Sequence, residues 1–138
     1  MRRLAPTLRL AASALLLAGC ERAPLVEPDL DDPTLAEVQA QVFTPSCALS
    51  GCHLGAGAPF GLDLSEGRAY ANTVGVRSGE VPALFRIAPG DPDESYLVHK
   101  VEGRAGIVGA RMPLGRPPLS AQRIALLRDW IAAGAPEN

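Results

Sequence analysis

Cys47-Ala48-Leu49-Ser50-Gly51-Cys52-His53 is the stretch on which the reading of this chain turns. Two thiols with four residues between them are followed at once by an imidazole. Three chemistries compete for that pattern. A disulfide would close a short loop and contribute roughly 2 kcal/mol in an oxidising compartment. A zinc site would have to combine Cys47, Cys52, His53 and His99, yet adjacent residues rarely reach the same tetrahedral ion, and the usual finger spacings are missing. Covalent haem needs two thiols to add across two vinyl groups, and a histidine directly after the second thiol to lie under the iron. The common haem spacing leaves two residues between the cysteines; here there are four, and a longer loop has to bulge outwards to present both sulfurs. The cysteine pair alone does not separate haem from disulfide, and the adjoining His53 favours haem.

Working outward, the next informative stretch is Arg111-Met112-Pro113-Leu114-Gly115. A lone methionine is ordinarily a gap-filler in a core. Met112 sits instead in a stretch stiffened by Pro113, Pro117 and Pro118, and a thioether is a common second axial ligand of haem iron used for electron transfer. His99 is the competing distal ligand, but it lies off the Leu97, Val98 and Val101 stripe and reads as a helix-surface histidine. Arg111 and Arg116 flank the methionine and either pair with haem propionates or stay solvated. Trp130 reads as a core anchor.

These residues lie among short helix signals. Thr34 with Glu37 makes a capping box, or Asp32 caps with Pro33 at the first position; Leu35, Val38 and Val42 form a stripe that ends near Phe43, ahead of Pro45. The region between Gly55 and Gly90 reads as loops with a short helix near Arg68 to Asn72. Asp91 as cap and Pro92 in the first turn then open a helix that ends before Gly103. Ser120 caps a last helix carrying Ile124, Leu127 and Ile131, which Gly134 and Pro136 terminate.

The front of the chain has a different character. Arg2, Arg3 and Arg9 precede an apolar run from Leu10 to Gly19, too short to span a bilayer and shaped like a secretory signal. Leu17-Ala18-Gly19-Cys20 resembles the lipobox of bacterial lipoproteins, which implies cleavage before Cys20 and a lipid on its thiol. The acidic, proline-bearing stretch that follows reads as a tether. The expected organisation is a lipoprotein signal peptide over 1–19, lipidated Cys20 with a linker over 20–33, and one domain over 34–138. Of 13 basic and 15 acidic residues, the signal removes three basic ones, so the mature chain carries −5, which argues against nucleic acid. Fourteen Gly, 13 Pro and six aromatic residues imply a loop-rich domain whose thin core needs a cofactor, a metal or a disulfide to help fill it.

The ordered combination of these pieces resembles class I cytochrome c, and more narrowly the planctomycete-type cytochrome c domain. The matching segments are Cys47 to His53, Gly61-Leu62-Asp63-Leu64, Pro89-Gly90-Asp91-Pro92-Asp93-Glu94-Ser95-Tyr96-Leu97, Met112-Pro113 and Trp130-Ile131-Ala132-Ala133-Gly134-Ala135. They span roughly residues 35 to 135. The four-residue gap between the cysteines departs from the family pattern, as does Leu114 where a proline often follows Met-Pro. The resemblance implies an all-α fold whose first and last helices cross, one covalent haem c on Cys47 and Cys52, and iron ligation by His53 and Met112. It implies an electron carrier rather than an enzyme, working with redox protein partners and membrane-anchored in the bacterial cell envelope on the periplasmic side. Two alternatives stay open: a haem-free, disulfide-bonded lipoprotein acting as an interaction module, and an open-iron protein reacting with peroxide or a small gas.

Overall fold

The computed structural model describes residues 32–138, so the expected signal peptide, Cys20 and most of the tether lie outside the described residues. The described chain is helical, with isolated β-bridges but no strand of a sheet. Its first helical segment, α1, starts where a reciprocal capping box closes: Glu37 N donates to Thr34 Oγ1 at 3.1 Å, and Thr34 N donates to the Glu37 carboxylate at 2.9 Å. The Asp32 and Pro33 alternative is not the one used.

The α1 segment does not stop at Phe43 as its sequence led us to expect. It is α-helical over Leu35–Val38, π-helical over Gln39–Phe43 and α-helical again over Thr44–Ser46. Thr44 N reaches back to Gln39 O, one residue farther than in an α-helix. A widened turn just ahead of Pro45 gives the ring room that the tighter register denies. The segment therefore carries the chain directly into Cys47, whose N–H donates to Phe43 O at 2.8 Å.

Helix α2, Ala69–Thr73, falls where a short helix was expected. Helix α3, Tyr96–Glu102, begins later than the Asp91 and Pro92 signal predicts. Asp91 caps a separate turn instead, its Oδ1 accepting from Asp93 N at 3.0 Å and Glu94 N at 3.1 Å. Ser95 then takes the N-cap position, with its hydroxyl already committed between Asp91 O and Ala88 N. Gly103, at φ 72°, ends α3 in the left-handed region that glycine enters at least cost. Helix α4, Ala121–Ala132, is capped by Ser120 as expected.

Helix α4 packs against both α1 and α3. Val38, Val42 and Phe43 from α1, Val98 from α3, and Leu127, Trp130 and Ile131 from α4 are all fully buried, with Ile87 supplied by the long connection. Full burial of such side chains stabilises by about 1.5–3 kcal/mol each. The indole N–H of Trp130 donates to Pro136 O at 3.0 Å, so the anchor also fastens the C-terminal tail. The opposite face of α3 is left to line a cleft.

Candidate functional site

The cysteine loop is a built structure. Leu49 N donates to Cys47 O at 2.9 Å, Cys52 N to Leu49 O at 2.9 Å, and His53 N back to Cys47 O at 3.1 Å. The four intervening residues thus form a bulge with Ser50 and Gly51 exposed, and Gly51 takes φ 77° to turn it. Closing the loop in this way brings the backbones of Cys47 and His53 together despite the long gap.

A second segment straps His53 in place. His53 Nδ1 lies 3.1 Å from Leu62 O, and Leu64 N donates to His53 O at 2.8 Å. Between them, Asp63 Oδ1 accepts from Gly55 N, Ser65 N and Ser65 Oγ at 2.7–3.0 Å, and these donors hold its carboxyl below the usual carboxylate range. A carbonyl opposite Nδ1 fixes the tautomer with the proton there and leaves the Nε2 lone pair for a ligand. Burial lowers the His53 pKa, with the Leu62 carbonyl opposing it, so the neutral, ligating form is favoured.

Cys47, His53 and Met112 line one cleft together with Leu62, Leu64, Tyr96, Leu97 and Val101. The cleft is open to solvent at its mouth, and its space is ≈ 670 Å³ with that mouth included. An outer extension shares Cys47, His53, Pro59 and Met112, and adds Cys52, Pro113, Leu114 and Arg116. All four residues singled out in the sequence, Cys47, Cys52, His53 and Met112, therefore meet at one cleft although Met112 is 59 positions beyond His53. Cys52 is exposed and Cys47 half-buried, and both carry free thiols. Burial, followed by the neighbouring Cys52, pushes the Cys47 thiol up to about 11.

The residues fit a haem in donor chemistry. An apolar macrocycle needs apolar walls, two thiols, an imidazole with a free Nε2 and a soft sulfur donor, and the lining residues supply each of these. His99 is not among its lining residues; its Nε2 lies 2.6 Å from Asp93 O on the outer side of α3. Arg111 is exposed with its aliphatic part over Gly103, while Arg116 lines the outer extension.

Sequence reasoning missed the polar side chains of the cleft. Glu80, Arg86, Tyr96 and Lys100 all line it. Arg86 donates to the carbonyls of Asn72 and Phe60, pinning the turn at Pro59–Gly61 in which Phe60 adopts φ 55°. Tyr96 and Lys100 stand four residues apart on α3, a spacing that places both on one helix face and was open to detection as a polar pair beside the Leu97 and Val101 stripe. Glu80 carried no such signal, because only the fold brings it to them. Among known proteins, no family model, no curated protein and no solved structure matches the chain.

Proposed function

We propose that this chain is a small c-type cytochrome that carries electrons, with one haem held in the cleft between α3, the Cys47–His53 loop and the Met112 segment. One observation carries the reading: the loop bearing two thiols also bears an imidazole whose Nδ1 faces the Leu62 carbonyl, and that loop shares an apolar cleft with Met112. Cys47 and Cys52 would hold the group by thioethers, each S–H adding across a vinyl, with His53 as proximal and Met112 as distal ligand. Bound there, haem supplies reversible one-electron chemistry at its iron.

The chain's own residues do the rest. Leu62 orients the His53 ring, Asp63 stiffens the strap behind it, and Leu64, Leu97 and Val101 keep water from the cleft's inner wall. With His53 and Met112 both engaged in holding the group, its iron would have no site left for substrate, which suits transfer rather than catalysis. The resemblance of the Cys47–His53 and Met112-Pro113 segments to planctomycete-type cytochrome c domains, read from the sequence alone, points the same way. Lipid on Cys20 would tether the domain to the bacterial envelope within reach of redox protein partners.

The test is expression alongside the haem-attachment machinery, followed by denaturing electrophoresis with a haem stain and a reduced-minus-oxidised spectrum. A stained band and sharp low-spin bands in the reduced protein are the expected result. Colourless protein with a Cys47 to Cys52 disulfide by mass spectrometry refutes the proposal and supports the haem-free lipoprotein instead.

A further inference from the structure

The segment carrying Met112 has no helix or strand of its own between Gly103 and Leu119. Among the described residues, three hydrogen bonds tie positions 105–118 to the rest of the chain, and all three end on Tyr96 or Lys100. Val108 N donates to the Tyr96 hydroxyl at 2.9 Å, Lys100 Nζ donates to Val108 O at 2.7 Å, and Met112 N donates to Lys100 O at 2.9 Å. Glu80 locks these two side chains together, its Oε2 accepting from the Tyr96 hydroxyl at 2.8 Å and from Lys100 Nζ at 3.1 Å. Glu80 is itself set by Ser78, whose Oγ accepts from Glu80 N and Val81 N.

A largely buried lysine and carboxylate on the wall of an apolar cleft need a reason, because an apolar pair of similar volume is often at least as stable. The reason here is geometric. Tyr96 and Lys100 are one helical turn apart, so together they grip both the N–H and the C=O of Val108, while the Lys100 backbone grips Met112. Removing either side chain frees one side of Val108 and leaves Met112 on a single backbone bond.

Resting on the cytochrome reading above, we propose that Glu80, Tyr96 and Lys100 are positioning residues for Met112. They form a latch that keeps the thioether in the cleft and so keeps other ligands off the distal position. None of the three is a haem ligand; each acts through the Val108 to Met112 segment.

The experiment compares wild-type holoprotein with Tyr96→Phe, Lys100→Met and Lys100→Arg. Each is assayed for haem stain, the weak near-infrared sulfur-to-iron band of the ferric form, imidazole binding, and amide hydrogen exchange at Val108. Tyr96→Phe and Lys100→Met are expected to keep covalent haem, lose near-infrared intensity, bind imidazole about tenfold tighter and exchange Val108 about tenfold faster, the scale set by loss of one hydrogen bond. Lys100→Arg, which retains charge and donors, should return all three readouts toward wild type. Unchanged band, imidazole affinity and exchange in both Tyr96→Phe and Lys100→Met overturn the latch while leaving the cytochrome reading intact. Absence of haem from the wild type overturns that reading and the latch with it. If circular dichroism shows Lys100→Met unfolded, Tyr96→Phe, which removes a single oxygen atom, decides the matter alone.

Discussion

Replacing Gly103 by alanine tests the junction between α3 and the Met112 segment. Gly103 sits at φ 72°, where an L side chain costs about 1–2 kcal/mol. An added Cβ would also lie 2.7 Å from Arg111 Cδ and 3.2 Å from its Cγ. These two costs are separable. Arg111 is exposed and its side chain can swing aside, so the steric part should amount to no more than about 0.5 kcal/mol, whereas the backbone conformation has no such escape. The expected destabilisation is therefore about 1–2 kcal/mol, dominated by strain, and at about 4–8 °C per kcal/mol for a domain near this size it should lower the Tm by roughly 4–15 °C. The assay is thermal unfolding by circular dichroism of the single variants and of Gly103→Ala/Arg111→Ala together. Partial recovery of no more than about 0.5 kcal/mol in the double variant is expected. If the double variant regains most of the loss, the contact with Arg111 and not the backbone set the cost, and the reasoning fails. It fails equally if Gly103→Ala melts with the wild type.

Three further outcomes are expected, two from the geometry and one from the lipobox-like sequence before Cys20. In the haem-free chain at pH 8, a thiol-alkylating reagent should label Cys52 well before Cys47, because Cys52 is exposed while burial pushes Cys47 up to about 11 and leaves roughly one thiolate in a thousand; equal rates, read by peptide mass spectrometry, would contradict this. Asp93 accepts from Arg104 at 2.6 Å and Arg128 at 3.1 Å, and these two guanidiniums hold its carboxyl below the usual range. A depressed carboxylate stabilises the fold above its unfolded-state pKa and loses that contribution as the pH falls through its folded-state pKa, so Asp93→Asn should lower the Tm at pH 7 and leave it unchanged near pH 2; a pH-independent effect would count against the assignment. Cys20→Ser should release the protein into the soluble fraction, and a variant that stays in the membrane fraction would remove the case for a lipid anchor.

The sequence by itself determined a great deal here, because the informative features are local. Adjacency of Cys52 and His53 is covalent, and the Thr34 capping box, the Ser120 cap and the Gly103 terminus depend on residues within one helical turn. The core faces of α1 and α4 were equally legible, since helical periodicity writes them into Val38, Val42, Leu127 and Ile131. Where local signals competed, sequence alone misjudged the outcome. Pro45 looked like a stop for α1, but the widened π turn over Gln39–Phe43 let the chain pass through it. Asp91 looked like a helix cap, but its carboxylate was used on a separate turn and α3 began at Tyr96.

Only the tertiary structure decided what surrounds the chemistry. That Leu62 O faces His53 Nδ1, that Asp63 reaches Gly55 N behind it, and that Glu80 reaches Tyr96 and Lys100 are contacts between residues 8 to 20 positions apart. Nothing in composition or periodicity encodes such pairings, because a carbonyl is present at every residue and a glutamate on a loop reads the same whether it is solvated or buried. The convergence of Met112 with His53 is of the same kind. The sequence offers the sulfur and the imidazole as candidates, while packing of α1 and α3 against α4, driven by burial of side chains that take no part in the chemistry, brings the two to one cleft.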